Sequence, residues 1–95
     1  MSSPVPTDRE LTILGILWER GPATVRAVNE TMGQKERTGY TTTLKLMQIM
    51  TEKGLLIRDE SQWPHVYKPA MPEEKTQKQL LGDLLEQAFS GSAAK

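Results

Sequence analysis

The segment from Tyr40 to Gly54, followed at once by the apolar residues 55–57, constrains the fold of this chain more than any other feature. Apolar residues recur in the segment at spacings of three and four, which predicts an amphipathic helix with one buried face. The residues predicted to face inward are Leu44, Met47 and Met50, flanked by Leu46. Because a glycine stop leads directly into a short strand, this layout is typical of a DNA-recognition helix that enters a wing.

Helix signals on either side of this segment complete the architecture. Thr7 and Glu10 match a capping box at the start of a first helix, and Thr24 is suited to cap a second helix. The predicted elements are helices at about 7–19, 25–32, 40–53 and 73–89, a turn at 33–39, strands at 55–58 and 66–68, and a frayed tail at 90–95. With 22–24 as a candidate third strand, this order predicts a mainly α fold with a small β-hairpin wing, which is a winged helix-turn-helix.

We expect two functional parts in these 95 residues. Residues 1–70 form the predicted winged helix-turn-helix DNA-binding domain, and residues 71–95 form the predicted C-terminal dimerisation helix and its tail. A chain of this size buries only a modest core, so its stability can depend on self-association.

The net charge of zero argues against a strongly basic nucleic-acid binder, but the charge is unevenly distributed. Residues 20–58 carry seven Lys or Arg and three Glu, a net of +4, and the flanks supply the compensating acid. Phosphate neutralisation dominates nonspecific affinity for DNA, so a single copy would bind weakly. A dimer would double the number of contacts.

Several classes of function lack their chemistry in this sequence. There is no cysteine and one histidine, His65, so we expect no metal site and an ordinary surface role for that histidine. There is no glycine-rich phosphate loop or nucleophile elbow, so we expect no cofactor and no enzyme. The longest apolar runs are far too short for a membrane span, and residues 1–6 lack the apolar core of a secretion signal. We therefore expect a cytoplasmic protein without membrane contact.

Four segments, in the expected order, resemble the penicillinase repressors of the BlaI/MecI type. They are Leu-Trp-Glu-Arg-Gly-Pro-Ala-Thr-Val at 17–25, Tyr-Thr-Thr at 40–42, Met-Thr-Glu-Lys-Gly-Leu-Leu at 50–56 and Tyr-Lys-Pro at 67–69. The resemblance covers roughly residues 8–91. It implies a bacterial transcriptional repressor that binds a palindromic operator as a homodimer, with helix three in the major groove.

The sequence also departs from that family. Members usually continue into further helices, so we expect either a truncated chain or a minimal dimer. Members under the control of a sensor are commonly cut at an Asn-Phe bond, whereas Phe89 here follows Ala88, so cleavage by an upstream protease is unsupported. The cysteine pairs of copper-responsive relatives are absent, and residues 59–64 replace the basic wing tip that members often carry.

Seven polar residues are the candidate DNA contacts. They are Arg26, Lys35, Arg37, Tyr40, Thr41, Thr42 and Lys45. Thr41, Thr42 and Lys45 share the outer face of helix three and suit base contacts. The alternatives are that the two threonines cap the helix and that the lysine is an ordinary solvated side chain. The other four, Arg26, Lys35, Arg37 and Tyr40, suit contacts to phosphates. The alternative for Arg26 is an ordinary surface role, and the alternative for Tyr40 is packing of its ring over the turn. Glu36 lies between Lys35 and Arg37 and partly cancels their charge.

The aromatic residues fall into two groups. Trp18 and Tyr67 are predicted to be structural parts of the core. Trp63 lies at the predicted tip of the hairpin, where it could fold back on the wing base, stack on a sugar of DNA or touch a partner subunit. We favour folding back or contact with another molecule over DNA, because Asp59 and Glu60 would repel phosphate.

The last helix carries an apolar stripe wider than packing on a three-helix core requires. Its residues are Leu80, Leu81, Leu84, Leu85, Ala88 and Phe89. Because exposed apolar surface usually marks an interface, we expect part of the stripe to form a homodimer contact. The alternative is that the whole stripe folds back on helix one.

The sequence therefore predicts a dimeric repressor that occupies double-stranded operator DNA. The alternative is a winged-helix module that binds a protein without sequence-specific DNA binding. The acidic wing tip and the zero net charge favour this alternative, whereas the basic segment and the Tyr-Thr-Thr opening of helix three oppose it.

Overall fold

Four helices and a two-stranded hairpin follow one another in the described part of the chain. The computed structural model describes residues 5–35 and 37–93, and for residues 34, 35, 87 and 89–93 it describes the backbone alone. The elements are α1 (Asp8–Arg20), α2 (Val25–Lys35), α3 (Tyr40–Glu52), β1 (Leu56–Asp59), β2 (Val66–Pro69) and α4 (Glu73–Ala93). The predicted mainly helical winged-helix fold is thereby confirmed.

The capping box predicted for α1 is present. The Thr7 hydroxyl accepts a hydrogen bond from the Glu10 backbone N–H at 3.2 Å, and the Thr7 N–H donates to Glu10 Oε1 at 2.9 Å. These two bonds satisfy backbone donors that the first turn leaves without helical partners. The helix ends at Gly21, whose φ of 91° reverses the chain and whose N–H donates to the Leu17 carbonyl.

One apolar core joins the first three helices to the hairpin. Its fully buried members from the helices are Ile13, Leu17, Val28, Met32, Met47 and Met50. Removal of each such side chain from water contributes roughly 1.5–3 kcal/mol, so these contacts hold α1, α2 and α3 together. Trp18 is half-buried against this core, as predicted, and its indole N–H donates to the Met71 carbonyl at 3.0 Å.

The helical stop after α3 lies at Gly54, as the sequence predicts. This glycine has a φ of +82°, the Leu55 N–H donates to the Met50 carbonyl at 2.8 Å, and the Gly54 N–H donates to the Thr51 carbonyl at 3.1 Å. These two bonds form a Schellman motif, which needs a left-handed residue at this point. The motif directs the chain from α3 into the wing.

The wing is an antiparallel pair in which Arg58 faces Tyr67. The candidate third strand is reduced to one residue, Ala23, which exchanges two backbone hydrogen bonds with Tyr67 at 3.0 and 2.8 Å. Tyr67 is buried, as predicted for a structural residue. The wing is therefore attached to the segment between α1 and α2 at its base.

Two predicted boundaries were wrong. The second helix continues to Lys35, so Gly33 lies inside it and the first part of the predicted turn is helical. One glycine costs a helix only about 1 kcal/mol, and Gln34 and Lys35 are good helix formers. The last helix continues to Ala93 rather than ending near Phe89, so residues 90–93 of the predicted tail are helical, and residues 94–95 lie outside the described residues.

Candidate nucleic-acid interface

The outer face of α3 carries the residues predicted to read bases. Thr41, Thr42 and Lys45 are all exposed, whereas Thr43 and Met47 on the opposite face are completely buried. The N-cap position belongs to Gly39, so the two threonines do not occupy it and the capping alternative does not describe them. Their hydroxyl and methyl groups lie on a solvent-facing surface one helical turn long.

A polar contact that the sequence reasoning missed holds α3 in place. The Asn29 side-chain amide in α2 donates to the Thr38 carbonyl at 2.8 Å and to the Thr43 hydroxyl at 2.9 Å. Thr43 was absent from the predicted inward stripe, in which Leu44 is in fact only half-buried. The spacing of Thr43, Met47 and Met50 follows helical periodicity and could have identified the position. Asn29 thus joins α2, the interhelical turn and α3.

Arg26 and Tyr40 come together at the start of α2 and α3. The Arg26 Cζ lies 5.8 Å from the centroid of the Tyr40 ring, a distance at which a guanidinium is attracted to the ring face. Both side chains are exposed, so the guanidinium donors remain available beside the start of α3. The two alternatives for Tyr40, ring packing and a hydroxyl available to phosphate, are compatible in this geometry.

The remaining predicted phosphate contacts lie in the connection between α2 and α3. Arg37 is exposed. Lys35 ends α2, and its side chain lies outside the described atoms, as does Glu36 altogether. The predicted cancellation of charge by Glu36 therefore stays a prediction.

The wing contributes to a groove beside the start of α3. This wing groove has a volume of about 260 Å³. It is lined by Thr24, Val25, Arg26, Tyr40, Leu44, Trp63, Pro64, His65 and Tyr67. The wing tip therefore lies close to the predicted phosphate contacts, a proximity that the sequence did not reveal.

Trp63 does not fold back on the wing base, so that expectation was wrong. Its side chain is 85% exposed, and its ring meets the His65 ring edge-on with centroids 4.8 Å apart. The four residues of β1 and the four of β2 leave no apolar platform at the tip, because the loop between them is polar. His65 is half-buried against this tryptophan rather than an ordinary surface residue.

The acidic residues of the wing have partners within the wing itself. Glu60 Oε2 lies 2.8 Å from Arg58 Nη2, and Asp59 accepts hydrogen bonds from the Ser61 backbone N–H and hydroxyl. The bond and charge of Arg58 lower the pKa of Glu60, and the bonds from Ser61 lower the pKa of Asp59. Both carboxylates are thus ionised at neutral pH, with the charge of Glu60 offset by Arg58.

The apolar stripe of α4 is exposed where the sequence predicts an interface. Leu81, Leu84 and Leu85 are 56%, 62% and 49% exposed, while Leu80 is half-buried. The alternative in which the whole stripe folds back on α1 is wrong for the three exposed leucines. Ala88 is exposed as well, and the Phe89 side chain lies outside the described atoms.

Within 5–35 and 37–93, no group of three or more His, Asp or Glu side chains is placed to hold a metal ion. In the same ranges, no helix combines the length and the apolar character needed to cross a membrane.

Comparison with known proteins agrees with the resemblance seen in the sequence. The model of the penicillinase repressor family matches residues 6–95. Two curated relatives from different strains of Mycobacterium tuberculosis, each named transcriptional regulator BlaI, are 30% identical to this chain over 82 residues. Those residues are 85% of this chain and 59% of each relative, so the chain spans little more than half the length of the relatives.

Proposed function

Because this chain belongs to the penicillinase repressor family, we propose that it is a transcriptional repressor that binds a palindromic operator as a homodimer. The observation that carries this proposal is the surface at the start of α3, where Thr41, Thr42 and Lys45 are exposed above a buried inner face. The name of the relatives, transcriptional regulator, supports the same assignment.

Base reading is assigned to α3 in the major groove, which is wide enough to admit an α-helix. The methyl groups of Thr41 and Thr42 suit the thymine methyl, and their hydroxyls suit base edges or phosphates. Lys45 follows one turn later on the same face, where its ammonium would meet guanine acceptors or a phosphate. The buried inner face and the Asn29 contacts hold this helix rigidly, which favours selective recognition.

Backbone contacts are assigned to Arg26, Arg37 and Tyr40, with Lys35 as a fourth candidate. Arg26 and Tyr40 are already adjacent and exposed, so a phosphate between them would receive a guanidinium and a phenol donor together. Such contacts position the protein on the duplex without reading its sequence.

Dimerisation is assigned to α4. The chain is thereby divided into a DNA-binding domain at 1–70 and a dimerisation helix at 71–95. The exposed Leu81, Leu84 and Leu85 form an apolar face that a second copy would cover. Two-fold symmetry would place the recognition helices about 34 Å apart or at a multiple of that distance, which matches a palindromic site. Repression would follow from occupancy of the promoter.

A second candidate function is a module that binds a protein partner through the same fold. The exposed Trp63, together with the acidic wing and the zero net charge, favours it. In that case the wing rather than α3 would carry the contact.

Fluorescence anisotropy of labelled DNA from upstream of the gene, with a scrambled duplex as control, tests the proposal. We expect preferential, salt-sensitive binding that saturates at two chains per site. Thr42→Ala and Lys45→Ala should weaken binding about 5- to 100-fold, since each removes one contact to a base or phosphate. Lys75→Ala, at an exposed position on the side of α4 opposite Leu84, is the matched control and should bind as the wild type does.

Two results would reject the repressor. One is equal and weak binding of the wild type to both duplexes at low salt. The other is full DNA binding by Thr42→Ala and Lys45→Ala together with loss of a protein partner in Trp63→Ala, which would establish the interaction module instead.

A further inference from the structure

The wing groove has two chemically different walls. On one side lie the Arg26 guanidinium and the Tyr40 ring, 5.8 Å apart. On the other side lie Trp63, Pro64 and His65 of the wing. A single strand of duplex DNA alternates anionic phosphates with largely apolar deoxyriboses, so the two walls complement its repeating unit.

The exposure of Trp63 indicates that this side chain contacts another molecule. An indole has the largest apolar surface of any side chain, yet this one is 85% exposed at a hairpin tip. Its contact with His65 covers an edge and leaves the faces of the indole open. Tryptophans with an open face are common at binding surfaces, where stacking supplies affinity at a low entropic cost.

The acidic residues of the wing do not oppose a DNA strand here as strongly as the sequence suggests. Glu60 is paired with Arg58 at 2.8 Å, so the pair carries no net charge. Asp59 is turned toward Ser61 by two hydrogen bonds. The cation that lines the groove is Arg26, on the wall opposite the wing tip.

We propose that the wing groove binds one strand at the edge of the DNA site, with a phosphate held by Arg26 and Tyr40 and the adjacent deoxyribose packed against the indole of Trp63. This inference rests on the proposed function, because the groove continues the surface formed by Thr41 and Lys45. An aromatic contact thus takes the place of positive charge at the tip of this wing. It contributes affinity without sequence selectivity.

The two walls have different signatures in a salt titration. Arg26→Ala removes one phosphate contact, so the slope of log affinity against log salt should become shallower by about 1. Trp63→Ala removes no charge, so it should lower affinity about tenfold on the specific and the scrambled duplex alike, with an unchanged slope. Trp63→Phe keeps an aromatic face and should retain most of the affinity. Gln62→Ala, its exposed neighbour, is the matched control.

Tryptophan fluorescence supplies an independent readout. The chain has two tryptophans, and the other one, Trp18, is half-buried with its N–H bonded to Met71. Packing of the Trp63 indole against deoxyribose removes it from water, so the wild-type emission should shift to shorter wavelength. This shift should be absent in Trp63→Phe, whose remaining tryptophan is the half-buried Trp18.

The outcomes separate this proposal from the function on which it rests. If the wild type binds neither duplex, both are rejected. If the wild type binds DNA while Trp63→Ala binds equally well and no shift of emission occurs, the groove contact is rejected and the repressor stands. If Trp63→Ala converts a dimer to a monomer in sedimentation, Trp63 is a subunit contact and the groove contact is likewise rejected.

Discussion

Lys53 Nζ lies 2.7 Å from Glu10 Oε1, so the end of α3 is joined to the start of α1. The Glu10 side chain is 3% exposed and the Lys53 side chain 29% exposed. The same Glu10 oxygen accepts the Thr7 N–H of the capping box. One carboxylate therefore secures both the beginning of α1 and the orientation of α3.

Replacement of Lys53 should destabilise the fold more than its position near the surface suggests. Lys53→Met keeps the aliphatic length but leaves the buried Glu10 carboxylate without its cation, which we expect to cost about 1–3 kcal/mol in the free energy of unfolding. Urea denaturation measures this loss. Lys53→Arg, which preserves the charge, is the control and should cost less than half as much; equal stability of Lys53→Met and the wild type would contradict the prediction.

The contribution of Glu10 should depend on pH in a defined direction. Burial raises the pKa of Glu10, but the hydrogen bonds from Lys53 and Thr7 and the charge of Lys53 outweigh it and hold the pKa below 4.5. Stabilisation by the ionised carboxylate is therefore complete above pH 4.5 and is lost as the pH falls through the lower pKa of the folded state. Unfolding of the wild type and Glu10→Gln in urea, compared between neutral and acid pH, should show a difference that shrinks in acid. A constant difference would be inconsistent with this linkage.

The contacts of Asn29 should matter for both stability and DNA binding. Asn29→Ala leaves the Thr43 hydroxyl and the Thr38 carbonyl without this donor, which we expect to cost about 1–3 kcal/mol. Thr43→Val is close in shape and keeps the bond from Asn29 to Thr38, so its cost should be smaller. Thermal unfolding ranks the two variants. If Thr43→Val proves the more damaging, the bond to Thr38 is not the important one.

Gly33, inside α2, and Gly54, just after α3, should respond in opposite ways to alanine. Gly54 has a φ of +82°, and no described atom lies within 4 Å of an added Cβ, so Gly54→Ala should lose about 1 kcal/mol through backbone strain alone. Gly33 lies within α2 in equally open surroundings, so Gly33→Ala should gain about 0.5–1 kcal/mol. Urea denaturation of both variants tests the pair, and a loss of stability in each would show that strain at Gly54 is not the cause.

The features that the sequence predicted correctly depend on residues within one or two turns of each other. The box of Thr7 and Glu10 and the left-handed Gly54 are of this kind, because backbone geometry and a neighbouring side chain determine them. The inward Met47 and Met50 follow from periodicity in the same way. The seven DNA contacts stay predictions, although the structure exposes the three on α3 and brings Arg26 beside Tyr40.

The features that the sequence missed depend on segments far apart in the chain. Nothing near Glu10 indicates that Lys53, 43 residues later, will neutralise it in the core. The sequence indicates a surface position for Asn29 on α2, whereas the turn to α3 places Thr43 within hydrogen-bond distance of it. The expectation that Trp63 folds back or contacts another molecule relied on repulsion of phosphate by Asp59 and Glu60, and the sequence could not show that the loop leaves its side chain 85% exposed.

The exposed leucines of α4 lead to the last prediction, which concerns self-association. Leu84 is 62% exposed, so Leu84→Glu should leave the fold of one chain intact, with unchanged helix content by circular dichroism. In a two-fold dimer each subunit contributes the new carboxylate, and burial of an unpaired charge is costly, so the dimer dissociation constant should rise about a hundredfold. Lys75→Glu introduces a carboxylate at an exposed position on the side of α4 opposite Leu84 and should sediment as the wild type does. A wild type that is monomeric at all concentrations, or a Leu84→Glu variant that remains dimeric, would show that this face is not the subunit interface.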